Sequence, residues 1–105
     1  MKRIFWIGGC KDEVKAFPLD VRREAGFQLW KAQRGEMPDD WKPVSVIGSG
    51  VREIRIRDAI GAFRVIYLAH GSDAIYVLHA FQKKTQKLSQ HNLRLARERY
   101  KSVKR

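Results

Sequence analysis

Apolar residues recur at helical spacing over the first third of the chain, with polar residues between them. The apolar positions are three or four residues apart, which places them on one face of a helix. Pro18 falls inside this pattern. Because proline is tolerated in a first helical turn and disrupts later ones, it predicts a short helical turn over residues 12–17 and a longer helix that begins at Pro18 and ends near Gly35. The apolar positions are Val14, Phe17, Val21, Ala25, Leu29 and Ala32.

A second helical pattern occupies the end of the chain. Ser89 is a good N-cap residue, so we expect this helix to begin directly after it. Apolar positions form one stripe and basic positions lie elsewhere, which is typical of a helix that packs on a core with its other side in solvent. The expected buried stripe is Leu93, Ala96, Tyr100 and Val103, and the expected outward side is Arg94, Arg97, Lys101 and Lys104.

Five short runs rich in β-branched and aromatic residues predict strands, at residues 2–7, 44–47, 51–57, 63–69 and 74–81. Short loops join the last four runs. Such loops favour antiparallel hairpins, because parallel neighbours need a crossover of about a dozen residues or more. The pattern predicts an α+β fold, with the N-terminal strand and helices packed on one face of a small antiparallel sheet and a helix at the C-terminus.

Length and composition limit the class of protein further. The 105 residues fit one domain, residues 1–105. No apolar run approaches the roughly 18–20 residues that cross a bilayer, and the apolar stretch near the N-terminus is too short for a signal peptide. Cys10 is the single cysteine, so neither an intramolecular disulfide nor a cysteine metal cage can form. We therefore expect a cytoplasmic domain without a cofactor or a membrane anchor.

The charge of the chain is strongly positive and unevenly distributed. The formal net charge is +11, and residues 82–105 contribute nine basic side chains against one acidic side chain, Glu98. Such an excess attracts nucleic acid, an acidic protein segment or an anionic membrane. The alternative interpretation is a basic helix that is simply exposed to solvent.

The run at residues 51–57 carries cationic side chains on one face of the predicted sheet. Side chains alternate along a strand, so Ile54 and Ile56 point to one face, whereas Glu53, Arg55 and Arg57 point to the other. We expect the first face to be buried against the helices and the second to be open. Guanidinium groups crowded on the open face repel each other, and a bound polyphosphate relieves that repulsion. A face that is merely polar is the alternative.

Two residues of the next run, Arg64 and Tyr67, each leave two interpretations open. Arg64 shares its face with apolar neighbours, so we expect it at the edge of the sheet or partly covered. It is either a structural ion-pair partner of Glu53 or Asp58 or a functional group. Tyr67 is either a phenolic proton donor or a packed aromatic residue, and packing is favoured.

Residues 79–87, between the last strand and the last helix, combine an imidazole, an aromatic ring and three lysines. A nucleobase can stack on Phe81 while Lys83, Lys84 and Lys87 hold its phosphate. Phe81 can instead belong to the core. The imidazole of His79 permits acid–base catalysis, but a single histidine of this kind is more often structural.

Several chemistries have no motif in this sequence. Neither a phosphate-binding GxxxxGK[ST] or GxGxxG loop nor a GxSxG nucleophile motif is present. No HExxH motif or acidic cluster predicts a metal site. RNA cleavage remains possible without a metal, because the attacking 2′-hydroxyl belongs to the substrate. DNA lacks that nucleophile, so metal-free cleavage of DNA is the weaker hypothesis.

The chain resembles the RelE/ParE toxin superfamily, in its HigB-like, phage-derived branch. The resemblance covers nearly the whole sequence, and its most specific part is the aromatic-x-Lys-Lys pattern after a hydrophobic strand. The segments that carry it are Phe17-Pro18, Trp41-Lys-Pro43, Gly50-Val-Arg-Glu-Ile-Arg55, Phe63-Arg-Val-Ile-Tyr67 and Leu78-His-Ala-Phe-Gln-Lys-Lys-Thr-Gln-Lys87.

This resemblance implies the toxin of a type II toxin–antitoxin pair with a RelE-like fold. It implies a ribosome-dependent endonuclease that cuts mRNA in the ribosomal A site without a metal, and a helix-turn-helix antitoxin as its partner. The matching positions for catalysis are Arg55, Arg64, Lys83 and Lys84, with His79 as a further candidate. We expect the RNA-binding residues to be Arg52, Arg57, Phe81, Gln82 and Lys87.

Two rival functions fit the same sequence. A gyrase poison of the ParE type has the same fold without RNA cleavage, although the lysine run after the last strand favours the nuclease. A phage-derived RNA-binding or adaptor protein without catalysis is the other rival. The sequence indicates neither a codon preference nor the identity of the general base.

Overall fold

A five-stranded sheet forms the centre of the protein in a computed structural model, which describes residues 1–85 and 87–103. Three helices pack against it, so the predicted α+β class is confirmed. The elements are β1 (Arg3–Trp6), α1 (Cys10–Lys15), α2 (Leu19–Gln33), β2 (Trp41–Pro43), β3 (Val51–Asp58), β4 (Gly61–His70), β5 (Ala74–Lys83) and α3 (Gln90–Val103).

The strand order in the sheet is β1-β5-β4-β3-β2, so β4 is the central strand. The pairs β2–β3, β3–β4 and β4–β5 are antiparallel, as the short loops predicted. β1 pairs in parallel with β5, because α1 and α2 lie between it and the rest of the sheet in the chain. β1 covers only residues 74–77 of β5, which leaves the C-terminal half of β5 without β1 as a neighbour.

Each face of the sheet buries its own apolar cluster. α1 and α2 contribute Val14 and Leu29 to the first cluster, which includes Ile54 and Tyr67 from the sheet. α3 lies on the opposite face. The alternation of side chains along each strand separates the two clusters, since residues two apart share a face. Among the described residues, no helix has both the length and the apolar character needed to cross a membrane.

The helix at the C-terminus forms as the sequence predicted. The hydroxyl of Ser89 accepts a hydrogen bond of 3.1 Å from the amide of Asn92, which is the expected N-cap contact. Ala96 is fully buried in the second cluster. Lys104 lies outside the described residues. The rest of the predicted apolar stripe, Leu93, Tyr100 and Val103, packs around that cluster, and Arg94, Arg97 and Lys101 are exposed.

The prediction of a strand over residues 44–47 is wrong. The edge strand β2 ends at Pro43, and the chain then turns, with the amides of Ile47 and Gly48 donating to the carbonyl of Val44 at 3.1 and 3.4 Å. Val44 and Ile47 are buried in the second cluster. Their apolar character therefore reflects burial beneath a turn rather than strand pairing.

The expectation of an open second face is wrong at its centre. Val44 and Ile47 from the turn and Ala96 from α3 cover part of this face. On the same face, Glu53 is only 2% exposed and Arg64 only 8%. Arg64 also lies on the central strand, so it is covered within the sheet rather than placed at its edge.

Candidate nucleic-acid interface

The register of three strands places cationic side chains side by side on the second face. Arg55 on β3 lies directly opposite Arg64 on β4. Two residues further along, Arg57 pairs with Ala62, and Ala62 pairs with Lys83 on β5. Like charges directly opposite each other destabilise a sheet. The strands therefore hold these cations together at an electrostatic cost.

A recess of about 520 Å³ opens beside these residues. The small side chain of Ala62, between Arg57 and Lys83, leaves room for it. We call this cavity the basic recess and define it by its lining, which is Arg57, Ala62, Arg64, Lys83, Lys84 and Thr85.

Glu53 lies at the buried side of the cationic group. Its Oε1 is 3.5 Å from Nε of Arg64, 4.0 Å from Nε of Arg55 and 3.9 Å from Nζ of Lys42. Oε1 of Glu53 accepts no hydrogen bond from these three side chains. In the part of the chain that the structure describes, the buried side-chain polar atoms without a hydrogen-bond partner are Oε1 of Glu53, Nε of Arg55 and Nε of Arg64.

Burial and charge crowding also affect the proton affinity of the cations. Burial lowers the pKa of the Arg64 guanidinium. Glu53 opposes this change, and Arg55 and Arg57 reinforce it. Burial also lowers the pKa of the Lys83 ammonium below its usual value of 10.5, again opposed by Glu53 and reinforced by Arg64. Arginine stays protonated regardless, so Lys83 is the member of this pair that can exchange a proton.

The other predicted residues of β5 and its exit do not line the basic recess, and Gln82 pairs with Phe63 of the first cluster. Phe81 pairs with Arg64 in the register, half-buried against the second cluster. Gln82 is exposed and its amide reaches the carbonyl of Ile60 at 3.5 Å. Lys87 lines an adjoining groove of about 390 Å³ that shares Lys83 with the basic recess.

His79 is buried away from the lining of the basic recess. Its Nδ1 is 3.1 Å from Oε1 of Glu13, and its Nε2 is 2.7 Å from Oδ1 of Asn92. Its ring stacks on Phe81 with centroids 5.0 Å apart. Both ring nitrogens are therefore engaged within the protein.

Arg52 and Tyr67 lie on the face that α1 and α2 cover. The guanidinium of Arg52 donates to the hydroxyl of Tyr67 at 3.4 Å and lies 5.3 Å from the ring centre of Trp41. Tyr67 is fully buried in the first cluster, as the packing interpretation predicted. The structure therefore does not bring Arg52 together with the basic recess.

The sequence indicated Glu53 as an ion-pair partner of Arg64 and gave no signal for Lys42. Lys42 lies directly opposite Glu53 on the edge strand β2, and this strand was not predicted. The signal for Glu53 was a single acidic residue within an arginine-rich strand.

A second polar cluster, centred on Glu13, ties α1 to β5 and α3. Arg99 donates to both carboxylate oxygens of Glu13, at 2.9 and 3.1 Å, and the amide of Ala80 donates to Oε1 at 3.1 Å. Burial by itself raises the pKa of Glu13, but the hydrogen bond from Arg99 and the nearby His79 hold it below its usual value of 4.5.

This depressed pKa gives a prediction for stability. The ionised Glu13 stabilises the fold above about pH 4.5, and that contribution is lost as the pH falls through the lower pKa of the folded state. We expect Glu13→Gln to lower the free energy of unfolding by about 2 kcal/mol at neutral pH, and by less in acid. Urea denaturation at several pH values measures this. Asp12→Asn, an exposed neighbour on α1, is the matched control, and an equal loss in both variants contradicts the prediction.

A family model described as phage-derived protein Gp49-like (DUF891) matches residues 12–101, which include most of α1, all of α2 and β2–β5, and most of α3. No curated protein shows significant similarity to the chain.

Proposed function

Because the chain belongs to the phage-derived Gp49-like protein family, we propose that it is the toxin of a type II toxin–antitoxin system and acts as a ribosome-dependent mRNA endonuclease. The Gp49-like family is a RelE/toxin-like family in general. Membership is consistent with a toxin of a toxin–antitoxin system, and such a toxin has an antitoxin as its partner. The proposal adds the HigB-like activity, the mRNA substrate and a helix-turn-helix antitoxin.

The convergence of Arg57, Arg64, Lys83 and Lys84 on one recess supports the proposal most strongly. In RNA cleavage the 2′-hydroxyl attacks the adjacent phosphorus as its proton passes to water, and the bond from phosphorus to the leaving 5′-oxygen breaks. Negative charge builds up on the phosphoryl oxygens during this step. Fixed cations that face this charge in a partly buried site stabilise the transition state more than cations in water do. We assign this role to Arg64, which lines the recess, and to Arg55, which lies opposite Arg64 in the register but outside the lining. Arg57 and Lys84 hold the phosphate.

Proton transfer is assigned to Lys83 rather than His79. The ring nitrogens of His79 are hydrogen-bonded to Glu13 and Asn92, so proton exchange with a substrate first requires breaking these contacts. Lys83 lines the recess, and its lowered pKa makes it a better proton donor to the leaving 5′-oxygen than an ordinary lysine. We assign base stacking to the part of the half-buried Phe81 ring that His79 does not cover.

The ribosome supplies the remaining affinity in this proposal. A chain with a net charge of +11 binds ribosomal RNA through the release of counterions. A small basic domain on naked mRNA lacks these extra contacts. We therefore expect cleavage to require translation.

The test is to incubate the wild-type protein with one mRNA, first in a translating extract and then alone. We expect cuts within the reading frame in the extract and intact naked mRNA. Intact mRNA in the presence of protein and active ribosomes contradicts the proposal. A supercoiling assay with DNA gyrase on the same preparation identifies the gyrase poison if that is the true activity.

A further inference from the structure

Glu53 is an unusual residue to find beside an anion-binding recess. It is 2% exposed, yet its Oε1 makes no hydrogen bond in the described structure. Its neighbours at 3.5–4.0 Å are the cations Arg64, Arg55 and Lys42. Buried polar groups are nearly always hydrogen-bonded, so each exception requires an explanation.

The carboxylate has two opposing electrostatic effects. It repels a phosphate placed on the adjacent cations, and therefore weakens RNA binding. It also offsets the repulsion between Arg55 and Arg64, which the register places directly opposite each other. A residue that costs affinity but fixes the cations is useful only where their positions matter more than the strength of binding.

We propose that Glu53 is a positioning residue: it is the internal counter-ion that fixes Arg55 and Arg64 in the orientation needed for phosphoryl charge stabilisation. This inference rests on the proposed nuclease function. Loss of the Glu53 charge removes the carboxylate that the Nε groups of both arginines approach, and leaves Arg55 near Asp40 at 3.7 Å and Arg64 bonded to the carbonyl of Phe63 at 3.1 Å. We expect a phosphate then to bind more tightly but in a geometry that reacts more slowly.

The geometry favours a positioning role over direct contact with RNA. Oε1 is enclosed by the protein, with Nε of Arg55 and Nε of Arg64 also buried beside it. Arg64 lines the basic recess and Glu53 does not, so a phosphate in the recess meets Arg64 without meeting the carboxylate. Arg55 lies outside this lining, with its Nη1 3.7 Å from Oδ1 of Asp40. Glu53 therefore acts through Arg55 and Arg64.

The experiment compares wild type, Glu53→Gln and Glu53→Asp. Binding is measured with a short RNA carrying 2′-O-methyl groups throughout, which cannot be cleaved, and cleavage is measured at saturating protein in a translating extract. For Glu53→Gln we expect roughly tenfold tighter RNA binding, because one buried negative charge is removed. We expect cleavage to be roughly tenfold slower or more, because the cations lose their alignment.

Two controls separate this role from others. Glu98→Gln removes an exposed acidic charge on α3, and we expect little change in binding or cleavage. Glu53→Asp keeps the charge and is expected to restore binding to the wild-type level and part of the cleavage rate. A pH–rate profile of unchanged shape in Glu53→Gln is expected of a positioning residue, whereas loss of its acid limb identifies Glu53 as a general base and overturns the proposal.

A readout independent of cleavage is the NMR signal of the arginine Nε–H groups. We expect sharp signals of Arg55 and Arg64 in the wild type and broadened ones in Glu53→Gln. Unbroadened signals, weaker RNA binding or wild-type cleavage in a folded Glu53→Gln variant each overturn the role of Glu53. If the wild-type protein itself cleaves no mRNA, the nuclease proposal fails, and the NMR and binding results still decide the role of Glu53.

Discussion

Replacement of Arg64 by alanine is expected to slow mRNA cleavage in a translating extract by about 10²–10³-fold, the usual effect of removing one charge-stabilising donor from an active site. Arg64 is the most enclosed cation of the basic recess, at 8% exposed, and water screens it least. Its loss removes a fixed positive charge from the position where we place the phosphoryl oxygens. Single-turnover cleavage rates measure the effect.

Two variants show whether such a loss is specific. Arg23→Ala removes the same charge from an exposed site on α2, across the sheet from the recess, and is expected to cleave at close to the wild-type rate. Arg64→Lys keeps the charge next to Glu53 but loses the planar fork of donors, so we expect a folded and slow variant. Wild-type cleavage by a folded Arg64→Ala variant contradicts the role of Arg64.

Lys83→Met is expected to slow cleavage by about 10²-fold or more, because general acid catalysis commonly contributes 10²–10⁴-fold. Methionine keeps much of the length of the side chain without the ammonium group. The pH dependence carries the sharper prediction. Since burial lowers the pKa of Lys83 from its usual 10.5, the wild-type rate is expected to fall in alkali at a pH below 10.5, as the proton donor is lost.

The same alkaline decline is expected to be missing in Lys83→Met. Rates are best measured from pH 7 upwards on ribosomes kept intact throughout, with Arg23→Ala as the variant of equal charge. An alkaline decline that persists in Lys83→Met assigns proton transfer to another group. A decline centred above 10.5 contradicts the lowered pKa.

Local patterns in the sequence predicted most of the fold. Alternation correctly placed Ile54 and Ile56 on one face and Arg55 and Arg57 on the other, because the period of a strand is fixed by its backbone. The same alternation places Arg52 with the isoleucines, on the face opposite Arg57, where its guanidinium meets the hydroxyl of Tyr67.

Long-range packing explains what the sequence did not predict. Glu53 is buried on a face where the turn after β2 packs, and the position of that turn cannot be read from β3 alone. His79 is hydrogen-bonded to Glu13, which is 66 residues away in the chain. It also lies beside a shift in the β4–β5 register between Ile66 and Tyr67, which no local pattern marks.

The Glu13 cluster illustrates the same limit. Arg99 lies on α3 and Glu13 on α1, 86 residues apart, and their two hydrogen bonds join the two layers across the edge of β5. In the sequence, Arg99 is one of many basic residues near the C-terminus. Only the fold distinguishes this arginine from its exposed neighbours.

The most direct test is a cryo-electron microscopy structure of the wild-type protein on a ribosome whose A-site codon carries 2′-O-methyl groups. We expect a phosphate of that codon in the basic recess, within hydrogen-bonding distance of Arg64 and Lys83, with α2 facing away from the mRNA. Placement of the codon on another face of the protein, or absence of the protein from the A site, contradicts the proposal that these cations form an RNA-cleaving site.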